Sequence, residues 1–195
     1  MGLMLAAGAS RRFGSDKRSA LLADGNTLLL TSLQGAKQTF SHLMLVLRPE
    51  DDAVRLGVPS SVQVVRNPLA AQGMSSSLVA AVKVLRGAVE FAHIDAAAVL
   101  LADMPCINPS TLASLKGMAT ADSIVLPSYQ GRHGHPVIFG RAFWPELISL
   151  QGDAGARRIV QRHAERVKVL QVEDSGVCID IDDSEALAEL SAKPV

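Results

Sequence analysis

The chain has 195 residues, of which 48% are hydrophobic and 19% are charged, a composition typical of a folded globular protein and not of a disordered chain. Its length fits a single domain spanning residues 1–195. Lysine plus arginine and aspartate plus glutamate both number 19, so no net charge draws the chain to nucleic acid or to an anionic membrane. Any anion-binding site must therefore be local.

Neither the cysteines nor the apolar segments indicate an exported or membrane-bound protein. Cys106 and Cys178 are too few for a disulfide scaffold or a metal cluster. The apolar stretch Gly2–Ala7 is short, and the later one, Ala96–Ala102, falls well below the roughly 20 residues that a membrane-spanning helix needs. We therefore expect a cytoplasmic protein, with no nucleic acid and no membrane among its partners.

Short apolar runs alternate with segments of helical period, which predicts an α/β fold built from βαβ units around a mostly parallel sheet. The predicted strands are Gly2–Ala7, Leu43–Leu47, Val62–Val65, Ala97–Ala102, Ser123–Leu126, Val137–Phe139, Val167–Val172 and Val177–Ile181. The predicted helices are Thr27–Lys37, Ser75–Leu85, Pro109–Met118, Arg141–Leu150, Ala154–His163 and Ser184–Ala192. The run Ala97–Ala102 is apolar throughout, as expected of a strand buried on both faces at the centre of the sheet.

The most informative local pattern runs from Leu5 to Lys17 and has the sequence L-A-A-G-A-S-R-R-F-G-S-D-K. Small residues and a glycine at the end of a strand let backbone N–H groups approach a ligand, and ligands of open α/β sheets bind beyond the carboxyl ends of the strands. Together with Arg12 and Lys17, these groups would form a cationic site suited to a triphosphate. The spacing is neither that of a P-loop nor G-x-G-x-x-G. The alternative is a glycine-containing turn with solvated arginines.

Acidic residues stand at two further places. Asp103 directly follows the predicted central strand, where it can either cap the next turn or bind a hard cation; magnesium typically takes one or two carboxylates plus substrate phosphates. Asp180 and Asp182 alternate with isoleucines, which predicts that both lie on one face of a strand. That face is either a solvated edge or the source of a second ligand beside Asp103.

Two other segments carry candidate binding residues. The segment from Asn67 to Leu78 leads into a predicted helix N-terminus, where free N–H groups and serine hydroxyls either hold an anion or serve only as caps. His133 and His135 flank Gly134, but no second pair stands at the spacing of a zinc site. A lone histidine of this kind is more often structural than catalytic.

The pattern L-A-A-G-x-S-x-R-x-G-x-x-K resembles the opening signature of the molybdopterin nucleotidyltransferases and related nucleotide-sugar pyrophosphorylases, most closely the molybdenum cofactor cytidylyltransferase branch. Further segments resemble other elements of this family: N-P-x-x-x-x-G-M-x-x-S-L at 67–78, L-x-D-M-P at 101–105, G-x-x-G-H-P-V-x-F at 131–139, G-D-x-G-A-R at 152–157 and D-I-D at 180–182. The family continues D-I-D with Thr-Pro, where this chain has Asp183 and Ser184.

The resemblance implies a three-layer α/β/α, Rossmann-like (GT-A-like) fold and transfer of CMP from CTP to the terminal phosphate of molybdenum-bound molybdopterin. Arg12, Lys17 and Asp103 would be catalytic. Mg²⁺ would be held by Asp103 and Asp182, with Asp180 in reserve. The acceptor would contact His135 and Arg157. The implied nucleotide-binding residues are Leu5, Ala6, Ala7, Gly8, Ser10, Arg12, Lys17, Asn67, Gly73, Met74, Ser75 and Ser76.

Some alternatives stay open at this stage. Ala7 favours cytosine, because the guanylyl branch of the family tends to carry a glycine there, but GTP, another NTP or a sugar phosphate acceptor is also compatible. A carrier of the molybdenum cofactor to a molybdenum hydroxylase is a rival from another class, although it would need no metal–triphosphate site. A flavin- or NAD-dependent reductase on the same fold is a third reading, disfavoured because G-x-G-x-x-G is absent.

Overall fold

A computed structural model describes residues 1–8, 13–152, 156–183 and 185–188. Its strands are β1 (Gly2–Leu5), β2 (Leu43–Leu47), β3 (Gln63–Arg66), β4 (Ala96–Leu101), β5 (Ile124–Tyr129), β6 (Arg132–His133), β7 (Val137–Gly140) and β8 (Val167–Gln171). Its α-helices are α1 (Leu28–Thr39), α2 (Met74–Gly87), α3 (Pro109–Met118), α4 (Trp144–Ile148) and α5 (Arg157–Arg162).

The strands form one mixed sheet in the order β3-β2-β1-β4-β7-β5, and β6 and β8 both pair with β5. The pairs β1–β2, β1–β4, β2–β3 and β5–β8 are parallel, whereas β7 runs antiparallel between β4 and β5. The carboxyl ends of β1, β2, β3 and β4 therefore meet at one edge of the sheet. The predicted α/β class with a mostly parallel sheet is confirmed.

The two faces of the sheet bury separate apolar clusters, which gives three layers. Helices α1 and α3 cover one face, and α2 and α4 cover the other. Along β1, Met4 packs beneath α1 and α3, whereas Leu3 and Leu5 face the other layer, as the two-residue period of a strand requires. Each such side chain is at most 8% exposed, and its burial contributes roughly 1.5–3 kcal/mol.

Helix α1 shows why these segments fold locally as they do. The hydroxyl of Thr27 accepts a hydrogen bond from the Leu30 backbone N–H (3.3 Å) and so caps the first turn. Leu29, Leu33 and Ala36 then recur at helical spacing and are at most 1% exposed. None of the helices in the described part of the chain combines the length and apolarity needed to cross a membrane.

One predicted element is wrong: Val177–Ile181 is not a strand. Residues 175–178 instead form a 3₁₀ turn, which the Asp174 carboxylate caps by accepting a hydrogen bond from the Gly176 N–H (3.0 Å). Gly176 lies so close to the Cys106 carbonyl oxygen that an added Cβ would come within 2.1 Å of it. Turn chemistry thus prevails over the apolar run, and the following residues cross to the edge of β4, where Ile181 N–H donates to the Asp103 carbonyl (2.9 Å).

Other boundaries differ in smaller ways. The predicted helix 141–150 is divided into a 3₁₀ turn at 141–143 and α4, where Pro145 stands at a helix start. The hairpin between β5 and β6 was not predicted; it turns through Gln130 and Gly131, which have φ of 48° and 79°. Residues 185–188 are helical, as predicted for the last helix, and its other positions at 184 and 189–192 lie outside the described residues.

Candidate nucleotide-binding site

A cleft of about 490 Å³ opens at the edge where the carboxyl ends of β1 and β4 meet the start of α2. This volume is in the range of small-molecule sites, and the position is where open α/β sheets bind ligands. Several of the residues predicted to bind nucleotide line it: Leu5, Ala6, Ala7, Gly8, Gly73 and Met74. Lys17, Asp103 and Asp182 line it as well.

The charged residues in the cleft form one cluster around the ammonium group of Lys17. Lys17 Nζ lies 2.7 Å from Asp103 Oδ2 and 3.1 Å from Asp182 Oδ1, and it also donates to the Ile181 carbonyl (3.2 Å). Three distant parts of the sequence supply these groups: the turn after β1, the end of β4 and the segment after the 175–178 turn. The structure therefore joins three predicted site residues in direct contact.

The electrostatics of the cluster keep Lys17 charged. Burial by itself lowers the pKa of Lys17, but the hydrogen bonds and negative charges of Asp103 and Asp182 outweigh it and raise the pKa above the ordinary value. Two carboxylates around one ammonium leave a local charge of −1, that is +1 from Lys17 and −2 from the acids. Such a cluster can accept a further cation or a cation–phosphate complex.

The same residues fit a hard divalent cation. Oδ1 of Asp103 is buried and accepts no hydrogen bond from any residue that the structure describes. Among those residues, no group of three or more histidines, cysteines, aspartates or glutamates is gathered at metal-binding distance. Asp103 and Asp182 would thus be a two-carboxylate set of the kind that magnesium uses when substrate phosphates and water complete its ligands.

Arg18 lies beside Lys17 and also lines the cleft, although no sequence pattern predicts a role for it. Its guanidinium is 5% exposed and contacts Asp16, Asp51 and the Ala6 carbonyl. The sequence feature that could have indicated a partner for Arg18 is the acidic pair at 51–52, shortly after β2. The loop that carries this pair lies at the same edge of the sheet as the loop after β1.

Asn67 stabilises the loop before α2 from within and does not itself line the cleft. Its Nδ2 donates to the hydroxyls of Ser76 (2.9 Å) and Ser77 (3.1 Å), and its Oδ1 accepts from the Leu69 N–H (3.0 Å). Helix α2 begins at Met74, with Gly73 at the cap position in a left-handed conformation (φ 100°). The predicted serines therefore lie inside the first turn and are not the cap; Ser77 reaches the cleft, whereas Ser75 and Ser76 do not line it.

His135 and Arg157, the predicted acceptor residues, lie outside the lining of this cleft. His135 N–H donates to the Val177 carbonyl (2.8 Å), and its Nδ1 is buried without a hydrogen-bond partner among the described residues. Burial lowers the pKa of His135, against a hydrogen bond to the Val99 backbone and the negative charges of Asp103 and Asp180, and so favours the neutral ring. Arg157 is exposed at the start of α5. Ser10 and Arg12 lie outside the described residues.

A three-layer fold with small residues after β1, and a lysine between two carboxylates in the cleft beside them, defines a protein of the nucleotidyltransferase class. The chain belongs to the family of the MobA-like NTP transferase domain, whose model matches residues 2–167. The resemblance inferred from the sequence is thereby confirmed, and so is the conclusion that the protein is an enzyme acting on a nucleoside triphosphate.

The similarity to known proteins covers nearly the whole chain. The chain is similar to the purine catabolism protein PucB of Bacillus subtilis strain 168 (30% identity, covering 95% of this chain and 92% of the relative). It is also similar to the molybdenum cofactor cytidylyltransferase of Escherichia coli K12 (27% identity, 92% and 89%). Among solved structures, it matches the manganese complex of Rv0371C from Mycobacterium tuberculosis H37Rv, with a TM-score of 0.78, 27% identity and coverage of 99% and 98%.

Proposed function

We propose that the protein transfers CMP from CTP to the terminal phosphate of molybdenum-bound molybdopterin. An acceptor phosphate oxygen would attack the α-phosphorus of CTP, the bond from that phosphorus to the bridging oxygen of the β-phosphate would break, and pyrophosphate would leave. The observation that carries the proposal is the contact of Lys17 with Asp103 and Asp182 in the cleft. The similarity to a molybdenum cofactor cytidylyltransferase supports the choice of acceptor.

The chain would act by positioning and by neutralising charge. The attacking phosphate is ionised at neutral pH, so no protein base is required. Lys17 would meet the negative charge that develops on the departing pyrophosphate, and small residues at Ala6, Ala7 and Gly8 would let backbone N–H groups approach the nucleotide. We also assign Arg12 and Ser10 to this phosphate-binding segment, on the strength of the sequence pattern.

We propose Mg²⁺ as the cofactor, with Asp103 and Asp182 as its ligands. The buried Oδ1 of Asp103, which has no hydrogen-bond partner among the described residues, supports this assignment, as does the manganese complex of the mycobacterial relative. When bound, the ion would supply charge neutralisation at the α-phosphate and at the leaving pyrophosphate. Asp180 is exposed and does not line the cleft, which favours Asp182 as the second ligand.

The base and the acceptor are the finer parts of the proposal. Ala7 lines the cleft, and the guanylyl branch that the chain resembles tends to carry a glycine there, so we propose that the additional methyl group favours a pyrimidine over guanine. A size difference of this kind discriminates by about 1–3 kcal/mol. His135 and Arg157 are proposed for the acceptor side. A molybdenum hydroxylase is the proposed recipient of the product, in keeping with a relative named for purine catabolism.

The decisive experiment is an assay of pyrophosphate release with Mg²⁺ and each of the four NTPs, with and without molybdenum-bound molybdopterin. The proposal expects release with CTP, dependent on the pterin, and its loss in the Asp103→Asn variant. Pterin-dependent release with GTP would correct the base, and release only with a sugar phosphate would correct the acceptor. No NTP binding by the folded protein would refute transferase activity.

A further inference from the structure

Arg18 is surrounded by acceptors on every side. Its Nε and Nη2 donate to Asp16 (2.8 and 2.6 Å), and its Nη1 and Nη2 donate to Asp51 (2.6 and 2.7 Å). Nη1 also donates to the Ala6 carbonyl (2.9 Å). A guanidinium has five N–H donors, and these five contacts use all of them. Arg18 lines the cleft but has no donor left for a phosphate.

The acceptors belong to separate strand ends. The Ala6 carbonyl directly follows β1, and Asp51 belongs to the loop after β2, where its carboxylate also accepts from the Arg48 N–H (2.8 Å). Arg66, the last residue of β3, donates to the backbone carbonyls of Asp51 (2.6 Å) and Arg48 (2.9 Å). One hydrogen-bonded network thus connects the carboxyl ends of β1, β2 and β3.

The centre of the network is buried and charged: the Arg18 side chain is 5% exposed and that of Asp51 is 7% exposed, whereas that of Asp16 is 38% exposed. Hydrogen bonds from Arg18 hold the pKa of Asp16 below its usual range. Burial raises the pKa of Asp51, but the hydrogen bonds and charge of Arg18 bring it below the usual range as well. Arg18 is paired bidentately with each carboxylate, a geometry that a lysine cannot reproduce. Removal of Asp51 would leave the buried Arg18 charge with only the more exposed Asp16 as an ionic partner.

We propose that Arg18, held between Asp16 and Asp51, is a positioning residue for nucleotidyl transfer. Arg18 follows Lys17 in a 3₁₀ turn of only three residues, so fixing its guanidinium fixes the backbone from which Lys17 reaches Asp103. The bond to the Ala6 carbonyl ties the small-residue loop to the same point. Arg18 therefore fixes the distance between the small residues after β1 and the turn that carries Lys17. This inference rests on the proposed transferase function.

The test compares Arg18→Lys and Asp51→Asn with a control, Arg141→Gln. Arg141 also donates to backbone carbonyls, including that of Ile94 (2.9 Å), but it lies at the amino end of β4, at the opposite edge of the sheet. At a temperature where circular dichroism shows all variants folded, Arg18→Lys and Asp51→Asn should each lose roughly 10²-fold in kcat/KM for CTP, the loss that a misplacement of about 1 Å can cause. KM for the acceptor should stay unchanged, and the control should keep wild-type kinetics.

Hydrogen exchange gives a readout that needs no substrate. Amides of residues 14–20 should exchange faster in Arg18→Lys and Asp51→Asn and at the wild-type rate in Arg141→Gln. Variants that lose thermal stability but keep wild-type exchange in this segment and wild-type CTP kinetics would overturn the positioning role. If the wild type releases no pyrophosphate, the proposed function fails, and the exchange comparison still decides whether Arg18 holds the Lys17 segment.

Discussion

At the scale of single residues, the contact between Lys17 and Asp103 is the stronger half of the charged cluster. It is shorter than the contact with Asp182, and the side chains are 16% and 21% exposed, against 45% for Asp182. Water screens an exposed pair more effectively than a half-buried one. Asp103 is therefore the residue whose charge the cleft depends on most, and Asp182 is the more easily rearranged partner.

Replacing Asp103 by asparagine keeps its size and removes its charge. We expect kcat to fall by about 10²–10³-fold, the loss typical of removing one stabilising group from a transition state, while circular dichroism shows an intact fold. Asp122→Asn, at an exposed carboxylate far from the cleft, is the matched control and should keep full activity. Turnover of Asp103→Asn within threefold of wild type would remove Asp103 from the catalytic set.

Lys17 is expected to have two separable effects. Lys17→Gln should lower kcat by about 10²–10³-fold, because no ammonium group then neutralises the negative charge on the leaving pyrophosphate. It should also bind Mn²⁺ about tenfold more tightly in the absence of nucleotide, because no ammonium competes for Asp103 and Asp182; tenfold corresponds to about 1.4 kcal/mol, well within the interaction of two close charges near a protein surface. Electron paramagnetic resonance of free Mn²⁺ measures this affinity.

The control for that measurement is Lys83→Gln, at an exposed lysine on α2, which should change neither quantity. Equal Mn²⁺ affinity in the wild type and Lys17→Gln would contradict the competition between Lys17 and a metal ion at the two carboxylates. A normal kcat in Lys17→Gln would instead remove Lys17 from the transition state.

Residues differ in how far the sequence alone could assign them. Asp103 was predicted because it directly follows a recognisable apolar strand, and Lys17 because it ends the Leu5–Lys17 pattern that resembles a family signature. Strand alternation placed Asp180 and Asp182 on one face, although the segment is not a strand, and the family resemblance then selected Asp182. Arg18 and Asp51 were missed because their contact joins residues 33 positions apart, and local patterns carry no information on such pairings.

At the scale of elements, the turn at residues 175–178 decides where Asp182 lies. Its position depends on the close approach of Gly176 to the Cys106 carbonyl and on the cap from Asp174, whose carboxylate also accepts from the Asn108 N–H (2.9 Å). A sequence window around 177–181 contains an apolar run but no trace of this tertiary contact. That is why the run predicted a strand and the structure has a turn.

Gly176→Ala is expected to displace this turn, because the added Cβ would stand 2.1 Å from the Cys106 carbonyl oxygen. Overpacking of this kind typically costs about 1–3 kcal/mol of unfolding free energy, measurable by urea denaturation. Turnover should fall as well, because Asp182 moves with the turn. Gly35→Ala, in the interior of α1 with open space around the added Cβ, is the control and should gain about 0.5–1 kcal/mol. Unchanged stability and activity in Gly176→Ala would show that the turn tolerates the shift.

At the scale of the whole molecule, the sheet was largely predictable and its order was not. The strands β1, β2 and β4 are continuous apolar runs because both faces are covered by helices, and their positions were predicted to within a residue or two. The antiparallel insertion of β7 between β4 and β5 leaves no mark on composition or periodicity. The predicted position of the site does not depend on this strand order, because the site is built at the ends of β1 and β4, which are adjacent.

The network around Arg18 joins three strand ends, so its loss in acid should affect the stability of the whole fold. The pKa values of Asp16 and Asp51 are lower in the folded chain than the value of about 3.9 expected when it is unfolded. Their contribution is therefore complete above about pH 5 and is lost as the pH falls through the folded-state values, below about pH 4. Stability should decline in that range because the unfolded chain binds more protons.

Urea denaturation of the wild type and Asp51→Asn between pH 7 and pH 3 tests this expectation. At pH 7 the variant should be less stable by about 3 kcal/mol, because the buried Arg18 loses the charge of its one buried carboxylate partner in the described part of the chain. The difference should shrink as the pH falls below 4, because the wild type then loses the same charge. Asp52→Asn is the neighbouring control: asparagine can still accept the bonds from Val54 and Arg55 N–H, so little change is expected at pH 7. A wild-type–variant difference that stays constant down to pH 3 would mean that the charge of Asp51 does not stabilise the fold.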